Sequence, residues 1–100
     1  MKFFISYNHS DAALARAIAT ALDEKGIAYF LDEKDVGYGL DILTEVSKHL
    51  ATSTHMAVII SPGSSKSTWV PYEIGVARAN GLTIVPVLQH PSIAVHYTHL

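Results

Sequence analysis

A chain of 100 residues holds a single domain, residues 1–100, with a core of modest size. Its hydrophobic share of 49% suffices for a packed globule, and 16% charged residues is low enough to leave apolar surface for self-association. The absence of cysteine excludes disulfides, thiolate nucleophiles and cysteine-based metal sites, and a net charge of −2 with seven scattered Lys and Arg gives no basic footprint for nucleic acid. The opening apolar run breaks at Asn8, too early for a signal peptide, and nothing approaches the ~20 apolar residues of a membrane span. The expectation is a soluble, cytoplasmic domain with no nucleic-acid or membrane partner.

Lys2 to Tyr7 reads as a short buried strand carrying Phe3, Phe4 and Ile5 in one run. Ser10 is a suitable helix N-cap with Asp11 in the first turn, and Leu14, Ile18 and Leu22 recur at helical spacing until Lys25 and Gly26. Ile27 to Leu31 predicts a second strand, and the charged, glycine-flanked stretch from Asp32 to Gly39 an exposed loop. Leu43, Val46 and Leu50 form one stripe of a helix from about Leu40 to Ala51. Met56 to Ile60 predicts a third strand, ended by Ser61-Pro62-Gly63. A third helix follows and stops at Gly81. Thr83 to Leu88 predicts a fourth strand, in which Pro86 requires a bulge or an edge. Ile93, Val95 and Tyr97 alternate with Ala94, His96 and Thr98, a pattern open to a short fifth strand. Apolar strands alternating with amphipathic helices predict an α/β fold: a doubly wound parallel sheet, order 2-1-3-4, with helices on both faces. Its switch point falls between strands one and three, beside the loops after Tyr7 and Ser61.

The stretch Ser61 to Gly81 carries Glu73 four residues after the only tryptophan, Trp69. Pro71 suits a first helical turn and disfavours helical geometry at Val70. The regular helix is therefore expected near Pro71, with Trp69 on the preceding turn and Glu73 in the first turn, where the helix dipole favours a carboxylate. A helix beginning earlier would put Trp69 and Glu73 on one face. A solvated first-turn glutamate and a core tryptophan fit the same spacing, so spacing alone does not choose.

Four motifs in order do more. FISYNHSD (Phe4 to Asp11), GIAYFLDEKDVGYG (Gly26 to Gly39), VIISPGSSKSTWVPYEIGVA (Val58 to Ala77) and IVPVL (Ile84 to Leu88) resemble successive segments of a Toll/interleukin receptor (TIR) domain of the bacterial type. The resemblance implies a flavodoxin-like fold and, as in many bacterial and plant members, cleavage of NAD⁺ at the nicotinamide–ribose bond, with NAD⁺ as substrate and no cofactor. It places the catalytic glutamate on Glu73 and lines the pocket with Ser6, Tyr7, Asp32, Tyr38, Ser61, Ser67 and Trp69. It also implies homo-oligomers through TIR–TIR contacts of the 32–39 loop, and a product sensed by a downstream effector in anti-phage defence. Departures from the family pattern are Val70 and Pro71 after Trp69, Gly37-Tyr38-Gly39 in the second loop, and a fifth strand and final helix absent or reduced to Ile93–Tyr97, as in a minimal or C-terminally truncated member.

The chemistry stands on independent grounds. Glycosidases usually pair two carboxylates, one of which protonates the leaving oxygen. In NAD⁺ a pyridinium leaves as neutral nicotinamide, so one ionised carboxylate that stabilises the oxocarbenium-like ribose is enough. Capture by water gives ADP-ribose, capture by an adenine nitrogen a cyclic isomer, and capture by another molecule a conjugate. The alternatives are a TIR module that signals by assembly alone and an enzyme resembling nucleoside deoxyribosyltransferases. His90, His96 and His99 match no common zinc spacing, so no metal is expected. The serine-rich loop before Trp69 lacks Walker spacing, although its hydroxyls and amides suit a diphosphate at a helix start. Asp32 and Asp35 lack the acidic pair on the first strand that a receiver-type pocket needs.

Overall fold

The computed structural model describes residues 1–31, 41–64 and 69–89. Its elements are β1 (Lys2–Ser6), a 3-10 turn (His9–Asp11), α1 (Ala12–Glu24), β2 (Ala28–Leu31), α2 (Asp41–Ala51), β3 (His55–Ile60), α3 (Trp69–Ala79) and β4 (Thr83–Leu88). All strand pairs are parallel, in the order β2-β1-β3-β4, with Phe4 opposite both Phe30 and Met56 and Val58 opposite Pro86. The expected doubly wound order is thus the observed one. Ile93 to Tyr97, the candidate fifth strand, lies outside the described residues.

Strand alternation sorts the core into two layers. Phe4, Met56, Val58 and Ile60 pack with Val46 and Leu50 of α2 and Val70 and Ala77 of α3. On the other face Ile5 and Ile59 pack with Ala15 and Ala19 of α1. Helices therefore cover both faces, as continuous apolar strands require.

Two helices end in the same way. Gly26 and Gly81 have φ of 69° and 74°, the left-handed region that glycine enters without a Cβ penalty. Ile27 N donates to Leu22 O and Gly26 N to Asp23 O; Leu82 N donates to Ala77 O and Gly81 N to Arg78 O. These paired bonds are Schellman closures. Each delivers an apolar residue, Ile27 or Leu82, directly into the following strand. Ile27, read as strand from sequence, is used up in the first closure, so β2 starts one residue later.

Helix α1 begins differently from expectation. Ser10 and Asp11 belong to the 3-10 turn, and the helix starts at Ala12 with no side-chain cap. The Ser10 hydroxyl instead accepts a hydrogen bond from Asn8 Nδ2 at 2.6 Å. Pro86 sits in β4 at the end of the described sheet. Thr83 N and Gln89 N donate toward β3, at Thr54 O and Ile60 O. Alternation then turns the Pro86 nitrogen to the outer edge, where the missing N–H costs no bond to β3.

The opposite rim of the sheet is tied by His49 of α2. Its ring stacks on Phe30 with centroids 3.6 Å apart, and its Nδ1 meets Lys2 Nζ at 3.0 Å.

Candidate functional site

The site is built at the C-terminal ends of the paired strands β1 and β3. Ser6 ends β1 on the same side as Phe4, facing α3. In α3 the buried positions are Val70, Glu73 and Ala77, at the spacing of an inward helical stripe. Glu73 thus takes a place in that stripe where an apolar residue is the ordinary occupant. Its Oε1 accepts the Ser6 Oγ hydrogen bond at 2.8 Å, and both side chains are 0% exposed. A carboxylate enclosed this fully is costly unless hydrogen-bonded, and the Ser6 hydroxyl supplies one such bond.

Trp69 stands one turn before Glu73. It is half-buried against the α2/α3 core and meets the Tyr72 ring edge-on, with centroids 6.1 Å apart at 81°. The described helix already includes Trp69 and Val70, so it does not wait for Pro71. Pro71 is the third residue of the described span. Burial of Val70 at 3% exposure outweighs the proline's pressure against helical geometry at that residue. Two consequences follow. Glu73 lies in the second turn, so the first-turn dipole argument for its charge does not apply; a charge there relies on donors such as Ser6, against the cost of enclosure. Trp69 and Glu73 share one face of α3, the geometry of an early helix start.

The remaining expected pocket residues divide. Tyr7 follows Ser6 and turns to the opposite face, where it packs 6% exposed with Ile5, Ala15, Ala19 and Ile59 beneath α1. Its side chain is therefore core, away from Glu73. Ser61, 1% exposed, donates to Asp11 Oδ2 at 2.5 Å. Ser61 N donates to Ser64 Oγ at 3.0 Å and Ser64 N to Ser61 Oγ at 3.1 Å. This reciprocal pair is a capping-box arrangement, with Pro62 in the first position it favours. The Ser61 and Ser64 hydroxyls are thus engaged within the protein, whatever a diphosphate might ask of them. Asp32, Tyr38 and Ser67 lie outside the described residues, as do the 32–39 loop and His90, His96 and His99.

Asp11 is the site residue that sequence reasoning placed elsewhere, as a first-turn dipole partner. No local pattern marks its partner, which lies fifty positions away. Ser64 did carry a signal, the three-residue spacing from Ser61. Among the described residues no group of three or more His, Cys, Asp or Glu could hold a metal ion. No described helix is long and apolar enough to cross a membrane.

Comparison with known proteins agrees with this fold. The TIR domain of the Toll-related receptor TRR-2 from Hydra magnipapillata superposes with a TM-score of 0.75 at 20% identity, covering 98% of this chain and 81% of that one. The TIR domains of the activated Roq1 resistosome, which directly recognizes the pathogen effector XopQ, superpose with a TM-score of 0.72 at 27% identity, covering 97% and 68%. A search of curated proteins finds no match. The family model described as TIR domain matches residues 3–98, and with the parallel 2-1-3-4 sheet this makes the chain a member of the TIR domain family.

Proposed function

We propose that this TIR domain is an NAD⁺ nucleosidase in which Glu73 stabilises the ribosyl cation as nicotinamide leaves. The observation that carries the reading is a glutamate in the inward stripe of α3, hydrogen-bonded to Ser6 at the C-terminal end of β1. Open α/β sheets take ligands at that end and at that switch point. The C1′–N bond breaks with its electron pair passing to the pyridinium nitrogen, which leaves neutral. A nucleophile then attacks C1′: water gives ADP-ribose and a proton, an adenine nitrogen a cyclic isomer, another acceptor a conjugate. One carboxylate held by a preset donor meets this demand, since charge develops on the ribose and no leaving oxygen awaits a proton.

Glu73 is fully enclosed, so ribose reaches it only when the surrounding wall shifts. Self-association through the 32–39 loop is the proposed trigger. The likeness to TIR domains of an assembled resistosome supports self-association. A bacterial source, a role in anti-phage signalling and an effector that senses the product complete the proposal. The same enclosure favours a second reading, an assembly module in which Ser6 and Glu73 are only a core pair.

Chromatography of NAD⁺ incubated with concentrated protein separates them. The wild type should release nicotinamide and Glu73→Gln about 100-fold less, the scale seen when one preorganised electrostatic group is removed. Equal release from both would overturn the catalytic assignment. No release from either, with oligomers forming as concentration rises, selects the assembly module.

A further inference from the structure

Two loops border the crevice between β1 and β3, and a buried carboxylate joins them. Asp11, 5% exposed, closes the 3-10 turn after β1 and accepts the hydroxyl proton of Ser61 from the loop after β3. Its own backbone N–H is held by Asn8 O at 2.8 Å, so the carboxylate is rooted in the first loop. Ser61 is rooted in the second through its reciprocal bonds with Ser64. An independent contact lies alongside. A Cβ at Gly63 would stand 2.5 Å from Ser10 Oγ and 2.7 Å from Asn8 Nδ2, so the second loop rests directly on the Asn8–Ser10 bond of the first. Only a glycine permits that approach without displacing one of the two side chains.

We propose that Asp11 is a positioning residue that joins the loops after β1 and β3 into one wall of the crevice, and that Ser61 acts through Asp11 rather than by touching a ligand. Ser61 has a single hydroxyl proton and gives it to Asp11, while its oxygen accepts the Ser64 N–H. A ligand could recruit that proton only by breaking the link. Ser6 lies at the root of the first loop, and Trp69 and Glu73 follow the second. The spacing of the two loops therefore sets the approach to the Ser6–Glu73 pair. The kinetic consequence rests on the NAD⁺-cleaving reading; the coupling of the loops does not.

Amide hydrogen exchange across Asp11→Ala, Ser61→Ala and the double variant tests it. Asp11→Ala should speed exchange of the Ser64 amide, and Ser61→Ala that of the Asp11 amide, about tenfold, the scale of a lost hydrogen bond to a charged group, and the double variant should take the Asp11 amide no further. Asp11→Asn keeps the shape and a weaker acceptor; it should fold and show a smaller effect in the same two loops. Loosening confined to the mutated loop, or effects that multiply in the double variant, would overturn the proposal. In nicotinamide release, Asp11→Ala and Ser61→Ala should lower kcat by matching factors, and Ser61→Thr should restore it. A rise in KM with Ser61→Ala alone, with Asp11→Ala silent, would make Ser61 a ligand contact and also overturn it. If the wild type releases no nicotinamide, the NAD⁺ reading falls and the exchange data alone decide the coupling.

Discussion

Ser6→Ala isolates the buried bond at the centre of the site. The substitution removes the hydroxyl that donates to Glu73 Oε1 at 2.8 Å, in a place where neither side chain meets solvent. Losing a hydrogen bond to a buried charged group costs about 1.5–3 kcal/mol. In a domain of this size each kcal/mol moves the melting temperature by roughly 4–8 °C, so Ser6→Ala should lower it by about 8–16 °C for a 2 kcal/mol loss. Glu73→Leu in the same background replaces the carboxylate by an apolar group in a stripe already lined by Val70 and Ala77. Exchanging both partners for apolar groups is close to neutral or stabilising. The double variant should therefore recover wild-type stability or exceed it, while releasing no nicotinamide. Urea titration of the four proteins, read by circular dichroism, gives the cycle. A Ser6→Ala variant within 0.5 kcal/mol of wild type would refute the buried bond. A double variant as unstable as the single would show that the pair serves the fold.

Two further changes probe the frame. Gly81→Ala places a side chain at φ 74° where a Cβ meets no atom within 4 Å, so its cost is conformational alone, about 1–2 kcal/mol. Chemical denaturation should show that loss; none would mean that the left-handed turn is not required. Leu50→Ala empties a fully buried position between α2 and the sheet and should cost about 2–5 kcal/mol, readable as a lower denaturation midpoint at unchanged slope. An unchanged midpoint would remove Leu50 from the core.

Much of the frame follows from local chemistry. Continuous apolar runs and 3.6-residue spacing placed the described strands and helices within a residue or two, because a run marks a strand covered on both faces and the spacing marks a helix with one face turned to a core. Gly26 and Gly81 marked two helix ends for a backbone reason that needs no tertiary contact. Pro86 announced a bulge or an edge because a missing N–H has a fixed consequence. The four ordered motifs, rather than the Trp–Glu spacing by itself, pointed to the TIR family.

What the sequence could not determine were choices made by contacts between distant segments. Local rules started the third helix near Pro71; in the fold Trp69 and the buried Val70 are already helical, and Glu73 is out of the first turn. Tyr7 and Ser6 are adjacent in sequence and the family resemblance put both in the pocket lining, yet alternation sends them to opposite faces, and it is Ser6 that bonds Glu73. Asp11 looked like an ordinary helix-start carboxylate until folding brought Ser61 to it from fifty residues away. Local patterns carry information about which face of an element is buried; which buried group meets which is decided only when the sheet sets β1 beside β3.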